Sequence, residues 1–483
     1  MCSKPLYNEL ASWKWRSTSI VCAQHSVMTQ LVDQTFILKL FNLEEHQIQD
    51  FFIRYHQESL CVDVRLTIQE ETCPVCGTQD KKIKDYRLKK INHSVLNHTP
   101  CIIYYQARRY QCKACQKTFY EPNPFALPGM RQSLLTVYNV LSDLRSVNET
   151  FSSVATRSHL STNTVINIFD QHVKLSRKEL TPIICMDEVY AFNSDTSKYA
   201  CVFLDYESQE ILDILPSRHK RYLSSYLFSI EREERDQVKA VCIDMWETYR
   251  SIIKIYFKNA ICVVDRFHIP QEFNRALHRV RIDAMNTLDK NDKQPLDLTR
   301  FKLNQAQIYY VFKKFSWILS KNRKYKDHQK YFDINTPKRF NRVLNRYCNY
   351  LDFLDIMLTY STDLKQAYDF KVSLDRFFDT HKSEANKIID SLILSFKQSD
   401  IQVMTKFGNT LVNWKQEILN SFIILPQTNK TLSNAIIENR NKVIKTIKRN
   451  SNGYTNWSRF RNRVLYVVND TPLVLRPNNK KGN

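Results

Sequence analysis

Two C-x-x-C pairs, Cys73-Pro-Val-Cys76 and Cys112-Lys-Ala-Cys115, stand 35 residues apart. Two thiolates at that spacing reach one ion from a tight turn, and two such turns complete a tetrahedral Zn²⁺ site. The stretch from Cys101 to Tyr110 reads as a strand that delivers the second pair, which makes a zinc ribbon. Neither pair sits in the βαβ setting of a redox dithiol. Cys101 lies outside the pattern and reads as a small buried apolar residue.

A second constellation is acidic. Apolar runs end in carboxylates at Asp187, Asp205, Asp244 and Asp265, and helical residues from Lys220 to Gln237 and from Trp246 to Phe257 fall between the later runs. Three strands, a helix, a strand, a helix and a strand is the ribonuclease H-like order. It makes the strands ending in Asp187 and Asp244 neighbours. Carboxylates at strand ends suit hard divalent ions. Two such ions can activate an attacking oxygen and stabilise a leaving one in phosphoryl transfer.

The third ligand is expected from a later helix, about Ser433 to Arg449, stopped by Asn452-Gly453. At about 100° per residue, Lys442, Lys445 and Arg449 lie within about 40° of Glu438, while Ile436, Val443, Ile444 and Ile447 lie opposite. Asp187, Asp244 and Glu438 are therefore the candidate holders of two Mg²⁺ (or Mn²⁺) ions. Asp265 is the rival for the second position.

These residues need a scaffold. Residues 1–35 carry no pattern, and Thr35 to Glu71 reads as a small α+β segment. After a hinge with Pro122, Pro124, Pro128 and Gly129, Thr150 to His172 has helix-turn-helix punctuation. Its first helix runs to about Arg157 with Val154 and Ala155 inward, and Leu160 plugs the turn. Ser161 caps a second helix with Val165, Ile168 and Phe169 inward. Thr162, Asn163 and Thr164 then occupy the exposed start, where base edges are met. The expected chain is an α/β (α+β) multidomain protein. It has an N-terminal extension and small segment (1–70), a zinc ribbon (71–120), a helix-turn-helix domain (121–178), the first part of a ribonuclease H-like catalytic core (179–270), an all-α insertion (271–425), and the C-terminal helices of that core (426–483).

Composition narrows the partners. The chain has 483 residues, 5 of them Gly and none paired as a G-x-G-x-x-G or Walker loop requires, so dinucleotide, P-loop and Gly-loop kinase folds are excluded. The net charge is +22, which points to a polyanion. Ten Lys and Arg against Asp85 fall between Lys81 and Lys117, among them Arg108 and Arg109. Twelve against Glu438 and Asp470 fall from Lys430 onward, among them Lys442, Lys445, Lys448 and Arg449. There is no run of 18 apolar residues and no apolar leader from Met1 to Gln30, so no membrane partner is expected.

The knuckles, LPGMRQS (127–133), MDEVY around Asp187, CIDMWETY around Asp244, VVDRFHIPQEFNRALHRVR from Val263 and SNAIIENRNKVIKTIKRNSNGYTNWSRFRNRVL from Ser433 resemble the ISL-three-type (ISL3) transposases of bacterial insertion sequences, a DDE group. The match in order runs from about Phe36 to Val468. The resemblance implies that Asp187, Asp244 and Glu438 are the DDE triad and that the zinc and helix-turn-helix modules bind the terminal inverted repeats of double-stranded DNA. It also implies a homodimer or higher assembly in the synaptic complex and a cytoplasmic, nucleoid-associated protein. Asp265-Arg-Phe-His268 is similar to the [C/D]-x-x-H feature of related groups, which makes Asp265 and His268 supporting residues. The family usually has Gly after the Glu; here it is Asn439, a residue tolerant of unusual backbone angles. The expected reaction is cleavage at element ends and joining of the 3′-OH to target DNA. The rival readings are a non-catalytic DNA-binding regulator and a nuclease without strand transfer.

Overall fold

The computed structural model describes residues 38, 41, 43–56, 58–96, 99–192, 197–298, 301–425, 430–469, 471–472 and 474–475. The expected extension 1–35 and the cations Arg476, Lys480 and Lys481 lie outside the described residues. The chain divides into two compact units, one gathering residues up to Ser176 with those from Val443 onward, the other running Arg177–Lys442.

The first unit opens with a sheet of β1 (Ile48–His56), β2 (Ser59–Leu66), β3 (Lys81–Leu96), β4 (Thr99–Cys112) and β5 (Thr118–Tyr120), ordered β1-β2-β4-β3 with β5 on β4. Strand β4 alternates as a half-buried strand should, with Cys101, Ile103, Tyr105 and Ala107 in the core. Arg108 breaks that alternation, so one of the ten cations between Lys81 and Lys117 is not at the surface. It is 1% exposed and paired through Nη1 to Glu121 Oε2 at 3.0 Å, while Nη2 donates to the Leu66 carbonyl at 2.6 Å. Glu121 Oε1 also accepts from the Tyr105 hydroxyl at 2.7 Å and the Arg108 amide at 2.8 Å.

Three helices follow: α1 (Leu134–Asp143), α2 (Phe151–Arg157) and α3 (Thr162–His172). Ser133 and Ser161 cap α1 and α3, and Thr150 with Ser153 forms a capping box on α2. The inward residues of α2 and α3 are Val154, Ala155, Val165, Ile168 and Phe169. The C-terminal helix Trp457–Val468 belongs to this same bundle. Phe169 meets Tyr466 edge-on at 5.9 Å, Arg459 pairs with Asp170 at 2.6 Å, and buried Arg463 donates to the carbonyls of Ser146 and Glu149. The expected grouping of 426–483 with the acidic sheet therefore does not hold beyond Lys442.

The second unit is built on β6 (Ile183–Val189), β7 (Ala200–Asp205), β8 (Ile211–Leu215), β9 (Ala240–Ile243) and β10 (Ile261–Val264), ordered β10-β9-β6-β7-β8. The pairs β10/β9 and β9/β6 are parallel, and the others are antiparallel. Strands covered on both faces read as unbroken apolar runs. Between β8 and β9 the expected single helix is two, α4 (Lys220–Phe228) and α5 (Arg232–Asp236), because Ser229 caps the first and Ile230 turns into the core. Helix α6 (Glu247–Tyr256) links β9 to β10.

Residues 271–425 are mostly helical: α7 (His268–Asn286), α8 (Gln305–Lys314), α9 (Lys326–Gln329), α10 (Tyr350–Tyr360), α11 (Thr362–Phe377), α12 (Lys382–Lys397) and α13 (Gln402–Asn420). They are not all-α, since Pro295–Leu298 pairs with Phe301–Asn304 and Arg339–Asn341 with Arg346–Cys348 as hairpins. Strands of three or four residues are too short to display an alternation. The stretch has no core of its own either: Leu277, Phe312, Phe353, Phe396 and Trp414 join Ile184, Phe203, Ile243 and Val264 in one cluster. A short hairpin of Ile424–Leu425 and Lys430–Thr431 leads to α14 (Ala435–Asn450). No helix among the described residues is long and apolar enough to cross a membrane.

Replacing Glu121 with Ala leaves Arg108 charged, buried and unpaired, which costs about 3–5 kcal/mol. Urea denaturation of the Glu121→Ala variant should show that loss, and a change below about 1 kcal/mol would contradict the role given to the pair.

Candidate active site

The zinc knuckles are formed by backbone turns. The Gly77 amide donates to the Cys73 carbonyl at 2.9 Å, and Gln116 mirrors it on Cys112 at 3.1 Å; both turn residues have positive φ, 72° and 58°. Cys73 Sγ lies 3.6 Å from Cys115 Sγ and Cys76 Sγ 3.5 Å from Cys112 Sγ, and all four sulfurs fall within 4.8 Å of one another. Zinc–thiolate bonds of about 2.3 Å at tetrahedral angles separate sulfurs by about 3.8 Å. The donor set and its spacing fit a structural zinc ion.

The acidic residues meet because the strands are parallel. Cys185 pairs with Cys242 and Val264 with Ile243, so Asp187, Asp244 and Asp265 emerge at one edge of the sheet. Asp187 is buried; Oδ1 accepts from the Glu188 amide and Oδ2 from Asn441 Nδ2, both at 2.7 Å. Burial, then the charge of Asp244, pushes its carboxyl up to about 8. Asp244 Oδ1 accepts from His268 Nε2 at 2.8 Å and from Asn434 Nδ2 at 3.1 Å. Burial by itself lowers the His268 pKa, but the hydrogen bond and charge of Asp244, with Asp265 and Asp187 behind it, carry it up to about 9.

Asp265 is differently engaged. Its two oxygens accept from backbone amides, Phe267 at 3.1 Å and Asn434 at 2.8 Å. It therefore ties the segment entering α14 to the sheet edge. Glu438 lies half-buried in the first turn of that helix. At about 100° per residue, Asn434, Glu438 and Asn441 share an arc of about 60°. Glu438 thus sits on the helix face that contacts Asp187 and Asp244. Its carboxylate does not close with theirs: among the described residues, the cysteine quartet is the sole group of three or more such ligands within 4.8 Å.

The basic face of α14 is as expected at Lys442, Lys445 and Arg449, which are exposed, and Lys448 is half-exposed. The buried side is carried by Ile437, Ile444 and Ile447, with Ile436 and Val443 only half-buried. Asn439 is an ordinary exposed helical residue that needs no unusual angle. Thr162 and Asn163 are exposed at the start of α3, and Thr164 is half-buried against its cap Ser161.

Asn434 and Asn441 did not emerge from the sequence reasoning. Their signal was present: they stand four before and three after Glu438, on its face of the helix, and they are 0% and 5% exposed. Among the described residues neither amide oxygen has a hydrogen-bond partner.

Residues 69–115, which hold the four cysteines, match the family described as "zinc-finger of transposase IS204/IS1001/IS1096/IS1165". The transposase for insertion sequence element IS1001 of Bordetella parapertussis is 22% identical over 417 residues, covering 83% of this chain and 90% of that protein. The acidic sheet and α14 lie within residues 184–464, which match the ISL3 DDE family described as "Transposase". As that match spans more than half of the chain, the protein belongs to the ISL3 family of transposases.

Proposed function

We propose that this transposase binds the terminal inverted repeats of its element, cuts DNA at the element ends and joins the freed 3′-OH to target DNA, with Asp187, Asp244 and Glu438 holding two Mg²⁺ (or Mn²⁺) ions. The observation that carries the reading is that carboxylates from two adjacent parallel strands are held by asparagines on the helix face that bears Glu438. The strand order supports a ribonuclease H-like core. The residues suit a hard cation: all donors are oxygens, and two buried amide oxygens beside the carboxylates lack partners. When bound, the ions supply charge neutralisation for the transferred phosphoryl group and a more acidic water.

The chain's own residues then have distinct tasks. Asn441 fixes the rotamer of Asp187, and His268 holds a proton at Nε2 against Asp244. Asp265 is preferred as a positioning residue over a ligand, because both of its oxygens already accept backbone amides.

DNA capture is assigned to the first unit. Helices α2 and α3 serve as a helix-turn-helix, with Thr162, Asn163 and Thr164 toward bases. Two troughs support this. One of about 650 Å³ lies between the hinge 129–132 and Thr164, Asn167 and Gln171. Another of about 610 Å³ runs along Leu88–Asn92 of β3, where Lys89 and Lys90 lie. Met130 and Arg131 line both, and neither trough has a carboxylate in its lining. Lys442, Lys445, Lys448 and Arg449 offer further phosphate contacts. Two active sites per synapsis make a homodimer the minimal assembly.

Asp187→Ala should bring cleavage of DNA carrying the inverted repeats in Mg²⁺ to background while retaining binding; cutting by that variant would sink the mechanism. Asn441→Leu should weaken activity by about 10- to 100-fold, with a higher Mg²⁺ requirement. Arg131→Ala should reduce the slope of log affinity against log salt by about 1, read by titrating salt in a gel-shift assay. Incubating pre-cleaved ends with a target plasmid separates strand transfer from simple nuclease activity.

A further inference from the structure

We propose that the acid-bearing edge of the second unit's sheet carries a stacking platform for unpaired nucleobases, so that DNA reaches Asp187 and Asp244 with the bases beside the scissile phosphate out of the duplex. The proposal rests on the reading of Asp187 and Asp244 as the cleavage centre.

Each of the three acids at this edge is followed within three residues by an aromatic: Asp187 by Tyr190, Asp244 by Trp246 and Asp265 by Phe267. Trp246 leans on the core with part of its surface, but the other two are not core residues. Tyr190 is 46% and Phe267 62% exposed, whereas Phe203, Tyr249 and Phe273 from the same segments are buried. Burying a Phe contributes about 1.5–3 kcal/mol, which an exposed Phe267 forgoes. A single exposed aromatic is ordinary. A set gathered on one edge, each next to an acid, calls for a common occupant.

The geometry makes them a band. Val189 pairs with Ala200 across β6 and β7, which brings Tyr190 and Tyr199 together with ring centroids 5.5 Å apart. The Arg218 guanidinium lies 4.2 Å from the Tyr199 ring and 4.8 Å from the Trp246 ring. It is anchored at 2.6 Å to Glu188, the neighbour of Asp187. On the other side, the Phe267 ring meets the His268 ring edge-on at 5.7 Å, and His268 is bonded to Asp244. The band thus interleaves rings with a cation beside the carboxylates, the rings set steeply to one another, Tyr190 to Tyr199 at 68° and Phe267 to His268 at 88°, so that each offers its own face.

Every base has a π face, so such a surface takes unpaired bases of any sequence, at about 1–3 kcal/mol per stacked base. Paired bases inside a duplex present only their edges. An apolar protein partner would bury the Arg218–Glu188 pair at a desolvation cost, whereas a single strand offers phosphates and bases together.

The test uses the full-length protein and two versions of DNA carrying the element's ends, one fully paired and one with mismatches across the cleavage position. Phe267→Ala and Tyr190→Ala should each cut paired ends about 5- to 150-fold more slowly than the unaltered protein, and the mismatched DNA should restore most of the loss. Phe267→Trp, which keeps a π face, should retain cutting of paired ends. Equal losses on both DNAs, or no loss on paired ends, would overturn the platform. So would a Phe267→Ala chain that sediments as a smaller species and is indifferent to base pairing, since the face would then be covered by a second copy. If the unaltered protein cut neither DNA, the proposed function itself would fail, a result distinct from any of these.

Discussion

One residue, Asn434, holds the candidate site together. Its amide donates to Asp265, and its side-chain nitrogen donates to Asp244 and, at 3.4 Å, to the Met186 carbonyl. Those groups come from three different strands, β10, β9 and β6, so one fully buried side chain and its own backbone bridge the whole parallel part of the sheet. The first turn of α14, where Glu438 stands, enters the sheet edge through this contact. Asn441 follows two turns later and repeats the device on Asp187. In a dry environment such hydrogen bonds to carboxylates are stronger than neutral ones, and losing one leaves a buried charge exposed to the full desolvation cost. The helix is thereby set against the strand ends by polar contacts whose length is fixed, where apolar packing alone would allow sliding.

The charge of the chain is not a map of its DNA path. Arg108 and Arg463 are buried struts that satisfy carbonyl groups from separate segments. Arg250 stacks 4.3 Å from Trp414 and reaches Glu417, and Arg177 grips Glu234 with both terminal nitrogens. A guanidinium offers five donors in a fixed plane, which makes it an effective bracket between backbone segments. Other cations are exposed, such as Lys82, Lys84 and Lys90 on the edge strand β3 and Lys442, Lys445 and Arg449 on α14.

What could be read in the sequence was local. The cysteine spacing, the capping serine of α3 and the acids closing apolar runs depend on residues a few positions apart, and each stands where those patterns put it. Helical periodicity gave the basic face of α14 and the burial of Ile444 and Ile447, but placed Ile436 inward where Ile437, about 100° further round and on the side of the buried Asn434 and Asn441, is buried. Those asparagines escaped notice because a polar residue among lysines resembles a solvated face until its partners, some 170 to 254 positions away, are known. The allegiance of the C-terminal helix to the first unit was hidden for the same reason, since Arg463 and Tyr466 look like any amphipathic pattern without the carbonyls of Ser146, Glu149 and Leu141.

The scarcity of glycine has a structural consequence in the zinc ribbon. The first knuckle turns at Gly77, but the second turns at Gln116, with φ 58°, a left-handed conformation that costs an ordinary residue about 1–2 kcal/mol. Glu58, His159, Gln209, Asn345 and Asn452 occupy the same region elsewhere. All five are exposed, as Gln116 is. The ribbon has little packing to draw on, because Cys76, Lys113 and Lys117 are exposed and Cys115 is only half-buried. A structural zinc ion contributes about 10–16 kcal/mol to such a turn pair. That is several times the conformational cost at Gln116, so a zinc ion held by the four cysteines would offset that cost without a second glycine.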